Sequence, residues 1–170
     1  MQHTQTTAIR RLSEMFMDDI PVTEVAVKSN ITIPNDWFQT YIRVRRDFMS
    51  SLSDSIPELA FMNLPQDIFM DLLMGRKLPP DTSLRFRIPL WLGGEISVDN
   101  MFMTRTFPNS HNLDRFIIEQ SGAATMWLPN PVKKIYISAH TAGGGDGGNA
   151  TSDRLSQLAA GIVASNRGME

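Results

Sequence analysis

The chain contains no cysteine. That excludes disulfides, thiol nucleophiles, thiolate-held iron–sulfur clusters and cysteine zinc sites. Histidine is scarce: His3, His111 and His140 are the three, far apart in the chain, so a His-rich metal site needs long-range coincidences. Carboxylate-held magnesium or calcium is not excluded. No apolar run approaches the ~18 residues that mark a membrane span. The opening MQHTQTTAIRRLSEMFMDDI is interrupted by acids and arginines, unlike a secretory signal. Neither sign of charge dominates: 16 Lys and Arg against 18 Asp and Glu give a net charge of -2. A protein that coats DNA or RNA is usually more basic, although a local basic patch is compatible with this balance. No repeat of useful length is found. These absences lead us to expect a cytoplasmic protein, or one built into a particle assembled in the cytoplasm, with no membrane span and no cofactor.

What is present is ordinary for a globular domain. The 170 residues are 42% hydrophobic and 20% charged, which predicts a single α+β domain over 1–170. The oddity is 11 methionines and nine phenylalanines. They cluster at Met15–Met17, Phe61–Met62, Phe69–Met70 and Met101–Met103. Methionine fills irregular gaps and suits surfaces that must adapt, so these clusters fit either a flexible core or a face for a partner subunit.

Periodicity predicts the elements. Residues 6–19 read as an amphipathic helix with Ile9, Leu12, Met15 and Phe16 on its stripe and Thr6 or Thr7 as cap. Residues 23–33 alternate as a half-wet strand, with a break at Ser29–Asn30. The longest helix is expected over 34–56, ended by Pro57. Its stripe is Phe38, Ile42, Met49, Leu52 and Ile56, widened by Trp37, Tyr41, Val44 and Phe48. A shorter helix is expected at 64–74, with Pro65 at its start and Gly75 after its end. Residues 82–92 are the clearest strand, with Leu84, Phe86, Ile88, Leu90 and Leu92 on one face and Arg85, Arg87 and Trp91 on the other. Gly93-Gly94 is a hairpin signal, pairing this strand with 95–103. A helix at 109–120 ends at Gly122, and an apolar piece TMWLP precedes a strand at 132–139. A glycine-rich loop spans 141–151, and an amphipathic helix runs from about 152 to 165. The expected architecture is therefore a small antiparallel or mixed sheet, built on the 82–103 hairpin, covered by helices, with a glycine-hinged C-terminal helix.

No catalytic or metal constellation emerges. The run Gly143, Gly144, Gly145, Asp146, Gly147, Gly148 lies between a strand and a helix, where backbone amides can hold phosphate. No lysine comes after it to complete a Walker pattern, and Asp146 repels phosphate. Ser138, His140 and Asp146 supply the residue types of a hydrolytic triad without its elbow motif. Glu95, Asp99, Asp81 and Asp114 read as solvated turn and edge charges rather than a metal site. Arg43, Arg46, Arg85 and Arg87, with Lys133 and Lys134, are candidate nucleic-acid contacts. Phe16, Trp37, Arg85, Arg87, Trp91, Met101 and Met103 are candidate interface residues. The resulting expectation is a noncatalytic interaction or structural subunit that binds protein partners or itself. The alternatives are a nucleic-acid-binding accessory protein and a small hydrolase or ligand-binding enzyme using residues 138–149.

Overall fold

The computed structural model describes residues 3–137. The glycine loop at 141–151, the helix from 152, and Ser138, His140 and Asp146 all lie outside the described residues.

Helix α1 runs over Gln5–Phe16. Its cap is Thr4, upstream of the expected threonines, whose Oγ1 accepts the Thr7 N–H at 3.1 Å. Ala8, Leu12 and Phe16 recur at four-residue spacing and are buried, and Met17 ends the helix in the left-handed region at φ 54°. Strand β1, Val22–Ala26, is shorter than the alternation predicted and has no continuation past the Ser29–Asn30 break. Helix α2, Trp37–Ser51, tightens into a 3-10 turn at Leu52–Ser55 and then gives α3, Ile56–Ala60. Pro57 therefore does not end a long helix. It stands in the first turn of α3, where its missing N–H costs nothing. Helix α4 covers Gln66–Leu73.

Strands β2, Thr82–Phe86, and β3, Met101–Arg105, pair antiparallel, with Leu84 opposite Met103 and Phe86 opposite Met101. Beyond β3 the chain passes a cis Phe107–Pro108 bond into α5, His111–Glu119. Strand β4, Thr125–Pro129, pairs antiparallel with β1, and β5, Ile135–Tyr136, lies parallel to β3. The result is an α+β fold that shows, among the described residues, a three-stranded mixed sheet, β2-β3-β5, and a two-stranded ribbon, β1-β4.

The mixed sheet packs apolar side chains against both of its faces. Leu84, Met101 and Met103 pack toward Tyr41, Phe48 and Met49 of α2 and Leu72 of α4. Phe102, on the other parity, packs with Leu12 and Phe16 of α1 and Leu113 and Phe116 of α5. A third cluster of Leu92, Met126 and Leu128 lies under the ribbon. Among the described residues no helix is long and apolar enough to cross a membrane.

The Gly93-Gly94 pair is not a two-residue hairpin turn. Strand pairing stops at Phe86 and Met101, so residues 87–100 form a long connection. Asn100 pins it: its Oδ1 accepts the Ile88 N–H at 3.0 Å, and its Nδ2 donates to the Ile88 and Glu95 carbonyls at 2.9 and 2.8 Å. A side-chain amide thus replaces a paired strand. Gly93 adopts φ 94°, and Gly94 presses on the Ile88 backbone so closely that an added Cβ would overlap its carbonyl oxygen.

Candidate interaction surface

The residues singled out from sequence separate into three environments. Phe16, Met101 and Met103 are buried in this chain's own core. Phe16 meets Phe102 and Tyr136 edge-on, with ring centroids 6.0 and 6.1 Å apart. These side chains build the fold and present no surface. Trp37 and Trp91 are half-buried, Trp37 against the α2–α4 core and Trp91 against the cluster under the ribbon.

The arginines also divide. Arg43 and Arg46 are exposed on α2. Arg85 turns inward: its side chain is only 14% exposed, and its Nη1 donates to Asp114 Oδ1 at 2.6 Å and Ser110 Oγ at 3.0 Å. It ties β2 to the start of α5. Arg87 is half-buried; its backbone N–H donates to the Asn100 carbonyl, and its Nε is closed off from solvent without a hydrogen-bond partner. The carboxylates behave as separate groups. Asp81 accepts the Phe107 N–H at 3.4 Å, Asp114 holds Arg85, and Glu95 and Asp99 lie in the connection between β2 and β3. Among the described residues no three His, Asp or Glu are placed to hold a metal ion.

A concave feature lies elsewhere, between the end of α1, α3 and β5. A groove of about 190 Å³ has Phe16, Ile135 and Tyr136 as its floor and Met17, Phe61 and Ile137 along its sides. Met17 and Phe61 are 59% and 68% exposed. Asp18, Glu58 and Lys133 supply charge at its edge. Lys133 Nζ donates to Asp18 Oδ2 at 2.8 Å and lies 5.9 Å from the Tyr136 ring centre. The bond to Asp18 holds the Lys133 ammonium above its ordinary pKa. Tyr136 also organises the approach to β5, because its Oη accepts the Val132 and Lys133 N–H groups at 2.9 and 3.1 Å.

A second polar cluster locks α1 to α5. Arg11 donates to both oxygens of Glu119, at 2.7 and 3.1 Å, while its guanidinium lies 5.3 Å from the Phe116 ring centre. This bond raises the Arg11 pKa and holds the Glu119 carboxyl below the usual carboxylate range. Gln120 closes an edge: its Oε1 accepts the Trp127 N–H at 2.7 Å and its Nε2 donates to the Trp127 carbonyl at 2.9 Å.

The Met15–Met17 and Phe61–Met62 clusters point at the groove, but periodicity favours Phe16 over Met17. The usable signal is that Met17 falls off the Ala8–Leu12–Phe16 stripe, so it cannot share the core.

These features define an α+β protein with a small groove of mixed polarity and no assembled reactive centre among the described residues. Compared with known proteins, the chain matches no family model, no curated protein and no solved structure.

Proposed function

We propose that this chain is a noncatalytic interaction subunit of a larger protein assembly, and that a second copy of the chain packs over the groove between α1, α3 and β5. One observation carries the reading: Met17 and Phe61, both large and more than half exposed, flank the same concavity. Burying such a side chain fully is worth about 1.5–3 kcal/mol, and contiguous exposed apolar surface with a polar edge is what protein contacts cover. The edge also carries both signs, with Lys133 beside Asp18 and Glu58. A two-fold contact sets a patch against itself and therefore needs both. The assembly belongs, on this reading, to the cytoplasm.

Nucleic-acid binding has less support, since Arg85 is engaged by Asp114 rather than displayed beside Arg43 and Arg46. The hydrolase reading rests on Ser138, His140 and Asp146, outside the described residues.

Sedimentation equilibrium of the full chain over a wide concentration range tests the proposal. The expected result is a mass above the monomer that falls toward it in Phe61→Ser and Met17→Ser. A chain that stays monomeric at every concentration sinks it. So does a self-associated chain whose mass neither substitution changes.

A further inference from the structure

The groove has two borders of different charge. Helix α3 contributes Phe61 at its C-terminal end and Glu58 three residues earlier, so the two share a helical face. The end of α1 and the approach to β5 contribute Met17, Asp18 and Lys133. The 2.8 Å bond between Lys133 Nζ and Asp18 Oδ2 holds this second border together. Each border therefore sets a large exposed apolar side chain beside a charge: Phe61 with Glu58, and Met17 with Lys133.

Lys133 is suited to receive a second carboxylate. An ammonium has three donors, and its side chain is 49% exposed although it is bonded to Asp18. The bond to Asp18 is the main cause of its raised pKa, and Glu58 adds to it through space. Lys134, the next residue, faces Asp54 at 4.0 Å instead.

A two-fold axis through the groove can lay the borders on each other in two ways. If α3 meets α3, Glu58 faces Glu58 and the carboxylates repel. If α3 meets the α1–β5 border, Glu58 faces a lysine, and the same placement brings Phe61 onto Met17. The symmetry then makes both contacts twice.

We propose, resting on the reading that a second copy covers the groove, that the two copies cross so that Glu58 of each meets Lys133 of the other and Phe61 of each packs on Met17 of the other. The apolar pairs supply the burial, and the ion pairs set orientation and register.

The test is a charge swap in the full chain, read by sedimentation equilibrium at low salt, where exposed pairs count most. Glu58→Lys alone and Lys133→Glu alone each place two like-charged pairs in the contact and raise the dissociation constant about tenfold or more. An equal mixture of the two variants restores both pairs and regains the mass of wild type. Asp19→Lys adds the same charge at an exposed site off the groove, and its mixture with Lys133→Glu does not regain that mass. The proposal is overturned if both single variants associate as tightly as wild type, or if their mixture is no heavier than either alone. Equal rescue by Asp19→Lys also overturns it, since net charge would then suffice. In these three cases a mass that still falls with Phe61→Ser and Met17→Ser leaves the groove contact standing, whereas a wild-type chain that is monomeric throughout sinks both. Lys133→Glu also loses the Asp18 bond, so urea denaturation checks the fold of each variant. If that variant is unfolded, Glu58→Lys decides alone, and an undiminished mass overturns the pairing.

Discussion

Gly94→Ala is the most informative single substitution in this fold. Gly94 does not need a left-handed backbone; what it needs is the absence of a side chain. An added Cβ would overlap the Ile88 carbonyl oxygen and stand 2.6 Å from the Ile88 carbon and 2.9 Å from Asn100 Nδ2. Two of these three atoms are backbone, so no rotamer change relieves the overlap, and either Ile88 or Gly94 must move. Asn100 ties Ile88 to Glu95, the neighbour of Gly94, and its three hydrogen bonds weaken together when the two segments part. Overpacking typically costs 1–3 kcal/mol, and each weakened bond adds up to about 1 kcal/mol. We expect a destabilisation of about 2–4 kcal/mol, read by urea denaturation, and a fall in thermal midpoint of about 5–15 °C. Gly122→Ala is the control. Gly122 adopts φ 88° with nothing within 4 Å of an added Cβ, so only backbone strain of about 1 kcal/mol is expected. If Gly94→Ala lies within about 0.5 kcal/mol of wild type, a figure typical of neutral surface changes, the close approach of residues 88 and 94 is wrong.

The polar contacts give three further expected outcomes. Gln120→Leu leaves the Trp127 N–H and carbonyl without their partner and should cost about 2–3 kcal/mol in urea denaturation, with Trp127 fluorescence shifting as β4 loosens. Glu119→Gln should cost only about 0.5 kcal/mol near neutral pH, because the Arg11–Glu119 pair is partly exposed. The folded-state pKa of Glu119 is lowered, so its contribution is full above the unfolded value near pH 4.3 and is lost as pH falls through the folded value. The two proteins should therefore converge in acid, and a difference that grows below pH about 4 contradicts the assignment. Tyr136→Phe removes the acceptor of two backbone N–H groups and should speed amide exchange at Val132 and Lys133 by about tenfold while the Phe102 side of the core stays protected.

The α+β class is legible from period alone, because the helical stripes and the 82–86 alternation are strong. The faces are less so. On α2 the buried residues are Tyr41, Val44, Phe48 and Met49, whereas Phe38 and Ile42 of the preferred stripe are exposed. Extending one helix to Ile56 imposes the wrong phase: the 3-10 turn at Leu52–Ser55 rotates the next helix, and Ile56 is exposed too. Periodicity locates β2 and β3 as a pair but gives them the wrong turn, since a glycine pair also serves close backbone approach, and only Asn100's long-range bonds distinguish the two uses. Strand β4 shows in the sequence as no more than an apolar piece because its partner β1 lies about a hundred residues earlier, and such pairing leaves no local trace. The groove is half legible. Met17 and Phe61 belong to clusters visible in the sequence, but which member of each pair faces outward depends on where α1 and α3 stop. Arg105 is invisible at that level, since nothing in MFMTRTF marks an arginine as buried until the strand register is known.

The Gln120 side chain has a consequence for how the β1-β4 ribbon can grow. In the antiparallel ladder Trp127 is one of the residues of β4 whose N–H and carbonyl point away from β1, and the glutamine amide occupies both. Pro129, next on that edge, has no N–H to offer. Among the described residues no strand pairs with the outer edge of β1. On the β4 side the Trp127 backbone is already bonded, so a strand arriving there finds no free N–H or carbonyl at that residue.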